Sequence, residues 1–152
     1  MSFEFEVEIR RPKEEVFDFL ATPSNGPRWI RGAVPKGVLP DRAAVGLCWQ
    51  NTLRQFGRTF PVSLQCTHFE PPDRIGVRTL EPFRSAQVMT LRASDSGTAV
   101  HVQGGGDVGA FFNAARPLLA LYFRRIFRAD FERLKAVLEA ESRVPVQGAV
   151  TA

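Results

Sequence analysis

Six stretches of alternating or β-branched apolar residues lie behind an opening helix, joined by connections too short to cross a sheet. Val45 to Phe56, Thr59 to Glu70, Arg74 to Leu80, Ala86 to Ser94 and Thr98 to Gly105 read as strands, with a shorter one near Ala33 to Leu39. The turns between them carry Gly57-Arg58, Pro71-Pro72-Asp73, Pro82-Phe83-Arg84 and Asp95-Ser96-Gly97. A parallel pair needs a crossover of a dozen or more residues, so these neighbours must be antiparallel. That excludes a doubly wound sheet and leaves a meander.

What precedes and follows the meander completes the reading. Phe3, Phe5, Val7 and Ile9 alternate with Glu4, Glu6, Glu8 and Arg10, the pattern of a strand with one dry face. Pro12 opens a helix whose apolar stripe is Val16, Phe17, Phe19 and Leu20; Pro23 to Pro27 ends it, and a short turn carries Trp29 and Ile30. From about Phe111 to Glu141 the period becomes helical, with Phe123, Phe127, Phe131, Leu134 and Leu138 on one face. The expected class is α+β, a sheet of six to seven strands covered on one face by the long helix, in one domain over residues 1–143. Residues 144–152, small and containing Pro and Gly, read as a frayed tail.

Composition limits the function. The net charge of +4 raises the question of nucleic acid, but the basic residues are scattered, and Arg116, Arg124, Arg125 and Arg128 are followed by Asp130, Glu132 and Glu139. A solvated helix face is the preferred reading over a phosphate or membrane patch, and no nucleic-acid partner is expected. No apolar run is long enough for a membrane span, and the acidic, alternating start is unlike a signal peptide, so the expected address is cytoplasmic. The two cysteines, Cys48 and Cys66, have no metal-type spacing and fall on opposite faces, as free thiols. Neither a metal nor a cofactor is expected.

Strand parity proposes the lining of the interior. With Gly57 and Arg58 as a two-residue hairpin turn, Trp49 pairs with Cys66, Asn51 with Leu64, Leu53 with Val62 and Leu47 with His68. Those residues then share the inner face, and Ile75, Val77, Met89, Leu91, Val100 and Val102 continue it. The long helix adds Leu119, Tyr122, Phe123 and Ile126, and Trp29 is suited to closing the mouth. His101, of opposite parity to Val100 and Val102, belongs outside.

Three polar groups stand among these residues, and a buried one without a partner costs about 1–3 kcal/mol. His68 reads as a core or rim histidine bonded to a carbonyl, or as a proton shuttle. Asn51 reads as a satisfied amide or a ligand anchor, and Tyr122 as packing or as a hydroxyl that orients a ligand carbonyl. With thirteen Phe against one Tyr and two His, the interior is poor in groups that titrate near neutrality. The Gly104 to Gly106 run lacks the Lys and Ser or Thr of a phosphate loop and reads as a bend.

The segment from Phe5 to Leu20 resembles the start of the polyketide cyclase/dehydrase and lipid-transport superfamily, which shares the START and birch-pollen-allergen fold. Pro27-Arg28-Trp29, Val45-Gly46, Phe69 to Arg74, Gly97 to Val100 and Phe131 to Lys135 extend the resemblance in order over nearly the whole chain. It implies a helix-grip fold, a curved sheet wrapped around the C-terminal helix, with a cavity between them for an apolar or polyaromatic ligand. The first functional expectation is therefore binding or carriage of a small hydrophobic molecule. A second is a cofactor-independent cyclase or dehydratase of polyketide-like substrates, using His68, Asn51 and Tyr122. A third is an interaction module or homodimer formed through Phe111, Leu118, Leu121, Tyr122 and Ile126.

Overall fold

A computed structural model describes residues 2–55, 57–81, 84–107 and 116–141. It contains β1 (Ser2–Ile9), α1 (Lys13–Leu20), a 3₁₀ turn at Pro23–Asn25, the single-turn α2 (Gly26–Trp29), β2 (Ala33–Pro35), β3 (Cys48–Gln55), β4 (Arg58–Glu70), β5 (Arg74–Glu81), β6 (Arg84–Ser94), β7 (Gly97–Asp107) and α3 (Arg116–Glu141). The expected helix start at Phe111 and the tail from Val144 lie outside the described residues.

The strands form one antiparallel sheet in the order β1-β7-β6-β5-β4-β3-β2. β1 joins the far end of the meander by pairing with β7, so Phe5 lies opposite Val102 and Val7 opposite Val100. Its alternation is fully realised: Phe3, Phe5, Val7 and Ile9 are buried, and the residues between them are exposed. The short strand expected near Ala33 to Leu39 forms but shrinks to three residues, Ala33 opposite Leu53 and Pro35 opposite Asn51.

Two features of the register differ from expectation. The β3–β4 hairpin closes at Gln55 opposite Arg58, so Trp49 pairs with Leu64, Asn51 with Val62 and Leu53 with Phe60. The turn moves by one residue and every pair by two, which leaves each side chain on its expected face. The second difference does change faces. Cys66 pairs with Val77 but His68 with Gly76, leaving Thr67 as an extra residue in β4. This is a β-bulge, after which the parity of the strand inverts. Phe69 then lies opposite the fully buried Ile75 on the inner face, its ring 5.4 Å from that of Phe17.

α3 runs beside β1 in the same chain direction. Arg124 Nε donates to Glu4 O at 3.1 Å, Lys135 Nζ to Glu8 O at 2.7 Å, and Arg10 N to Glu139 Oε1 at 3.0 Å. From Arg124 to Glu139 the helix rises about 22 Å, and from Glu4 to Arg10 the strand rises about 20 Å, so the two stay in step. Between these ties the rings interlock. Phe127 stacks on Phe3 at 4.8 Å, and Phe131 meets Phe5 at 5.5 Å and Trp29 at 5.0 Å. Gly104, opposite Phe3, leaves space that the Phe3 ring occupies; a Cβ there would collide with that ring. This close approach explains the glycine better than the bend expected from the sequence.

Candidate functional site

The inner face of the sheet has two unlike halves. Towards β1, β7 and β6 it is close-packed: Ile75, Val100, Val102 and Leu134 are fully buried, and Met89, Leu91 and Phe131 nearly so. Towards β3, β4 and the outer part of β5, Trp49, Leu53, Phe60, Leu64 and Val77 share the inner face by register yet are only half-buried. The C-terminal half of α3 is anchored to β1 and α2, whereas Phe123 and Ile126, nearer its start, are half-buried. β3–β5 and the first turns of α3 thus carry apolar side chains that the rest of the chain covers only in part, although Val62 and Asn51 beside them are buried.

The expected lining residues divide accordingly. Trp49, Leu53, Leu64, Val77, Phe123 and Ile126 are half-buried and belong to this partly covered surface. Trp29, Cys66, Met89 and Leu91 belong to the close-packed core instead. Burial of the Cys66 thiol raises its pKa, and Sγ donates to His68 O at 3.4 Å. Cys48 is exposed on the opposite face, and both thiols are free, as parity and spacing required. Leu119 lies within α3, its side chain outside the described residues.

Two of the three polar candidates are not where the sequence reading put them. The bulge at Thr67 turns His68 to the outer face, where its Nδ1 lies 3.0 Å from Thr67 Oγ1, beside Gly76. Tyr122 is 42% exposed, with Leu118 and Leu121, on the side of α3 away from the sheet. It precedes Phe127 by five residues, which is about 140° around a helix whose Phe127 faces inward. Asn51 is on the inner face, 3% exposed, and its Oδ1 has no hydrogen-bond partner. It lies against the start of α2, where a Cβ on Gly26 would be 3.7 Å from its Nδ2.

Two polar groups were missed. Gln87 shares the inner face with Met89 and Leu91, opposite Val77 and Gly104, and its buried Oε1 also has no partner. Strand parity two residues before Met89 would have found it. Asp130 lies on the inward side of α3 between Phe127 and Leu134, 8% exposed, with Oδ1 accepting from Arg31 N at 3.2 Å. Burial pushes its carboxyl up to about 6, against the lowering effects of that hydrogen bond and of the Arg133 and Arg31 charges. Helix phase marked it, because it continues the Phe123, Phe127, Leu134 stripe.

The surroundings narrow the chemistry. Among the described residues no three His, Cys, Asp or Glu converge as a metal site. No described helix is long and apolar enough to cross a membrane. An open cleft of about 800 Å³ lies at the ends of β5, β6 and β7, bordered by Arg78, Thr79, Leu80, Glu81, Arg84 and Asp107 among others. Its border mixes charged, polar and apolar residues and includes none of the expected lining residues.

Comparisons with known proteins agree with this architecture. A search of curated protein sequences finds no match. Among solved structures, protein MLL2253 of Mesorhizobium loti is 17% identical with a TM-score of 0.68, over 92% of this chain and 98% of that one. The Staphylococcus aureus protein SA2116, described as of unknown function, has a TM-score of 0.73 at 12% identity, over 95% and 96%. The di-domain ARO/CYC protein StfQ of the steffimycin biosynthetic pathway has a TM-score of 0.75 at 12% identity, over 94% of this chain and 52% of its own. At such identities these likenesses show the fold. The model of the family described as polyketide cyclase / dehydrase and lipid transport matches residues 1–139, and the chain belongs to that family.

Proposed function

We propose that this domain binds a small, mainly apolar molecule in the hollow between β3–β5 and the first turns of α3, and that it acts as a binding or carrier protein. One observation carries the reading. Trp49, Leu53, Leu64 and Val77 share an inner face with Ile75, Val100 and Val102, but only the second group is fully covered by protein. A partly covered apolar wall gains free energy from a ligand at about 25 cal/mol per Å². Burial of roughly 300–400 Å² of ligand surface gives about 8–10 kcal/mol gross, which the loss of ligand freedom reduces to affinities on the order of micromolar. Asn51 and Gln87 are the polar groups of this face whose buried amide oxygens have no partner, and they are the points where a ligand would be oriented.

The test is mass spectrometry of small molecules released by denaturing the purified protein, with Leu53→Trp and Leu64→Trp as cavity-filling variants. A stoichiometric apolar molecule that the folded variants fail to retain supports the proposal. An empty protein whose melting temperature is unmoved by a panel of lipids and polyaromatics overturns it.

A second reading, cyclase or dehydratase activity on a polyketide-like substrate, draws on the fold shared with StfQ and on one feature of the site. Asp130 is a carboxyl held near neutrality on the inward side of α3, as proton transfer requires. His68 and Tyr122 do not face the hollow, so this reading requires that Asp130, bonded to Arg31 N, and Asn51, set against α2, reach a ligand held there. Asp130→Asn should abolish turnover of such a substrate while leaving its binding nearly unchanged. Equal loss of both, or of neither, would count against catalysis.

A further inference from the structure

The outward side of α3 near its start is the reverse of an ordinary solvent face. Leu118 is 74% exposed, Leu121 44% and Tyr122 42%. With Arg125 they occupy positions of one helix face, spaced by three, four and seven residues. Arg124, Arg125 and Arg128 are all exposed around the trio, and the sequence has no acid from residue 108 to residue 129. Arg124 reaches back to the Glu4 carbonyl, whereas Arg125 and Arg128 have no acidic partner among the described residues.

We propose that this face docks peripherally on an anionic lipid bilayer, with Leu118, Leu121 and Tyr122 in the headgroup boundary and Arg125 and Arg128 on lipid phosphates. A helical ridge whose apolar crest continues into Arg125 and is flanked by Arg128 matches the layered chemistry of a bilayer surface. Tyrosine suits that depth, having an apolar ring and a polar tip. A second copy of the chain is the poorer occupant. A contact through the trio would cover Arg125, which shares its face, with no described acid to pair it. The proposal does not depend on what the inner hollow holds.

The experiment is co-sedimentation of the full chain with phosphatidylcholine vesicles, with and without phosphatidylglycerol, at low and high salt. Binding is expected only to the phosphatidylglycerol vesicles and should weaken as salt is raised. Arg125→Ala with Arg128→Ala should lower it roughly thirtyfold, from the loss of two charges near an anionic surface. Leu118→Ser with Leu121→Ser should lower it at least about tenfold, through lost apolar insertion. The four side chains are outside the core, and circular dichroism verifies that each variant is folded.

Failure of the wild-type chain to bind anionic vesicles overturns the proposal, as does binding that neither pair of substitutions alters. Equal affinity for soluble polyglutamate, with the same dependence on both pairs, would assign the face to an acidic protein instead. Concentration-dependent dimerisation abolished by Leu118→Ser with Leu121→Ser would assign it to a second copy.

Discussion

His68 lies opposite Gly76 across the β4–β5 ladder, and its imidazole occupies the space that a side chain at position 76 would fill. A Cβ on Gly76 would be 2.7 Å from His68 Nδ1 and 2.6 Å from Thr67 Oγ1. The bulge sends both Thr67 and His68 to the outer face, and the glycine accommodates the pair. Gly76→Ala should therefore destabilise the domain by about 1–3 kcal/mol through overpacking, and removing the imidazole should relieve only part of that, because Thr67 Oγ1 remains in the way. Urea denaturation of Gly76→Ala, His68→Ala and the double variant checks this, and an additive cycle would refute the contact.

The bulge marks the limit of what the residues disclosed in advance. Alternation from Cys66 predicts His68 inside, and one extra residue at Thr67 leaves no trace in composition or hydropathy. The misplaced β3–β4 turn was harmless by comparison, since moving a two-residue turn by one position moves every pair by two and preserves parity. Tyr122 and Asp130 were legible. Placing Phe127 inward puts Tyr122 outside and Asp130 inside by helix phase alone, but the short tyrosine-containing segment looked uniformly apolar. The overall architecture was readable because short turns and two clear periodicities admit few arrangements. The half-covered wall was not, because parity tells which face a residue takes and not how well the opposite layer covers it.

Asp130 gives the domain an unusual pH dependence. Its carboxyl titrates near 3.8 in the unfolded chain and at about 6 when folded, so the folded state holds the extra proton between those values. The contribution of this group to stability is then greatest below the unfolded value and is lost as pH rises through the folded one. Asp130→Asn keeps an acceptor for Arg31 N and removes the buried charge. The variant should be more stable than wild type by on the order of 1–3 kcal/mol at neutral pH, with the advantage shrinking towards about pH 5. Paired urea denaturations at the two pH values measure it; a constant difference would mean that Asp130 is not raised. The lowered carboxyls Glu8 and Glu139 act oppositely, losing their contribution as pH falls towards and below 4.5.

Phe131 joins three elements, its ring meeting Phe5 of β1 and Trp29 of α2 while remaining 1% exposed. Phe131→Ala should cost about 3–5 kcal/mol, the range for an emptied aromatic site in a core that cannot collapse. Loss of the near-ultraviolet aromatic dichroism at lower denaturant than in wild type would accompany it. A loss below 1 kcal/mol would show that α3 is not held to the sheet at this point.

The thiols offer a direct check on the faces of β3 and β4. Cys48 is exposed, whereas Cys66 is 1% exposed, its pKa raised by burial and its thiol donating to the His68 carbonyl. The thiolate is the reactive form, so Cys66 is protected both by access and by protonation. In the native protein a disulfide reagent should modify Cys48 at close to the rate of an exposed peptide thiol, and Cys66 only as fast as the sheet opens. Cys48→Ser should leave that slow phase alone, and denaturant should convert it to a fast one. If Cys66 instead reacts quickly in the folded protein, while a cavity-filling Leu64→Trp suppresses the reaction, the hollow extends over Cys66 and reagent enters through it. The close-packed boundary drawn between Cys66 and Leu64 would then be wrong.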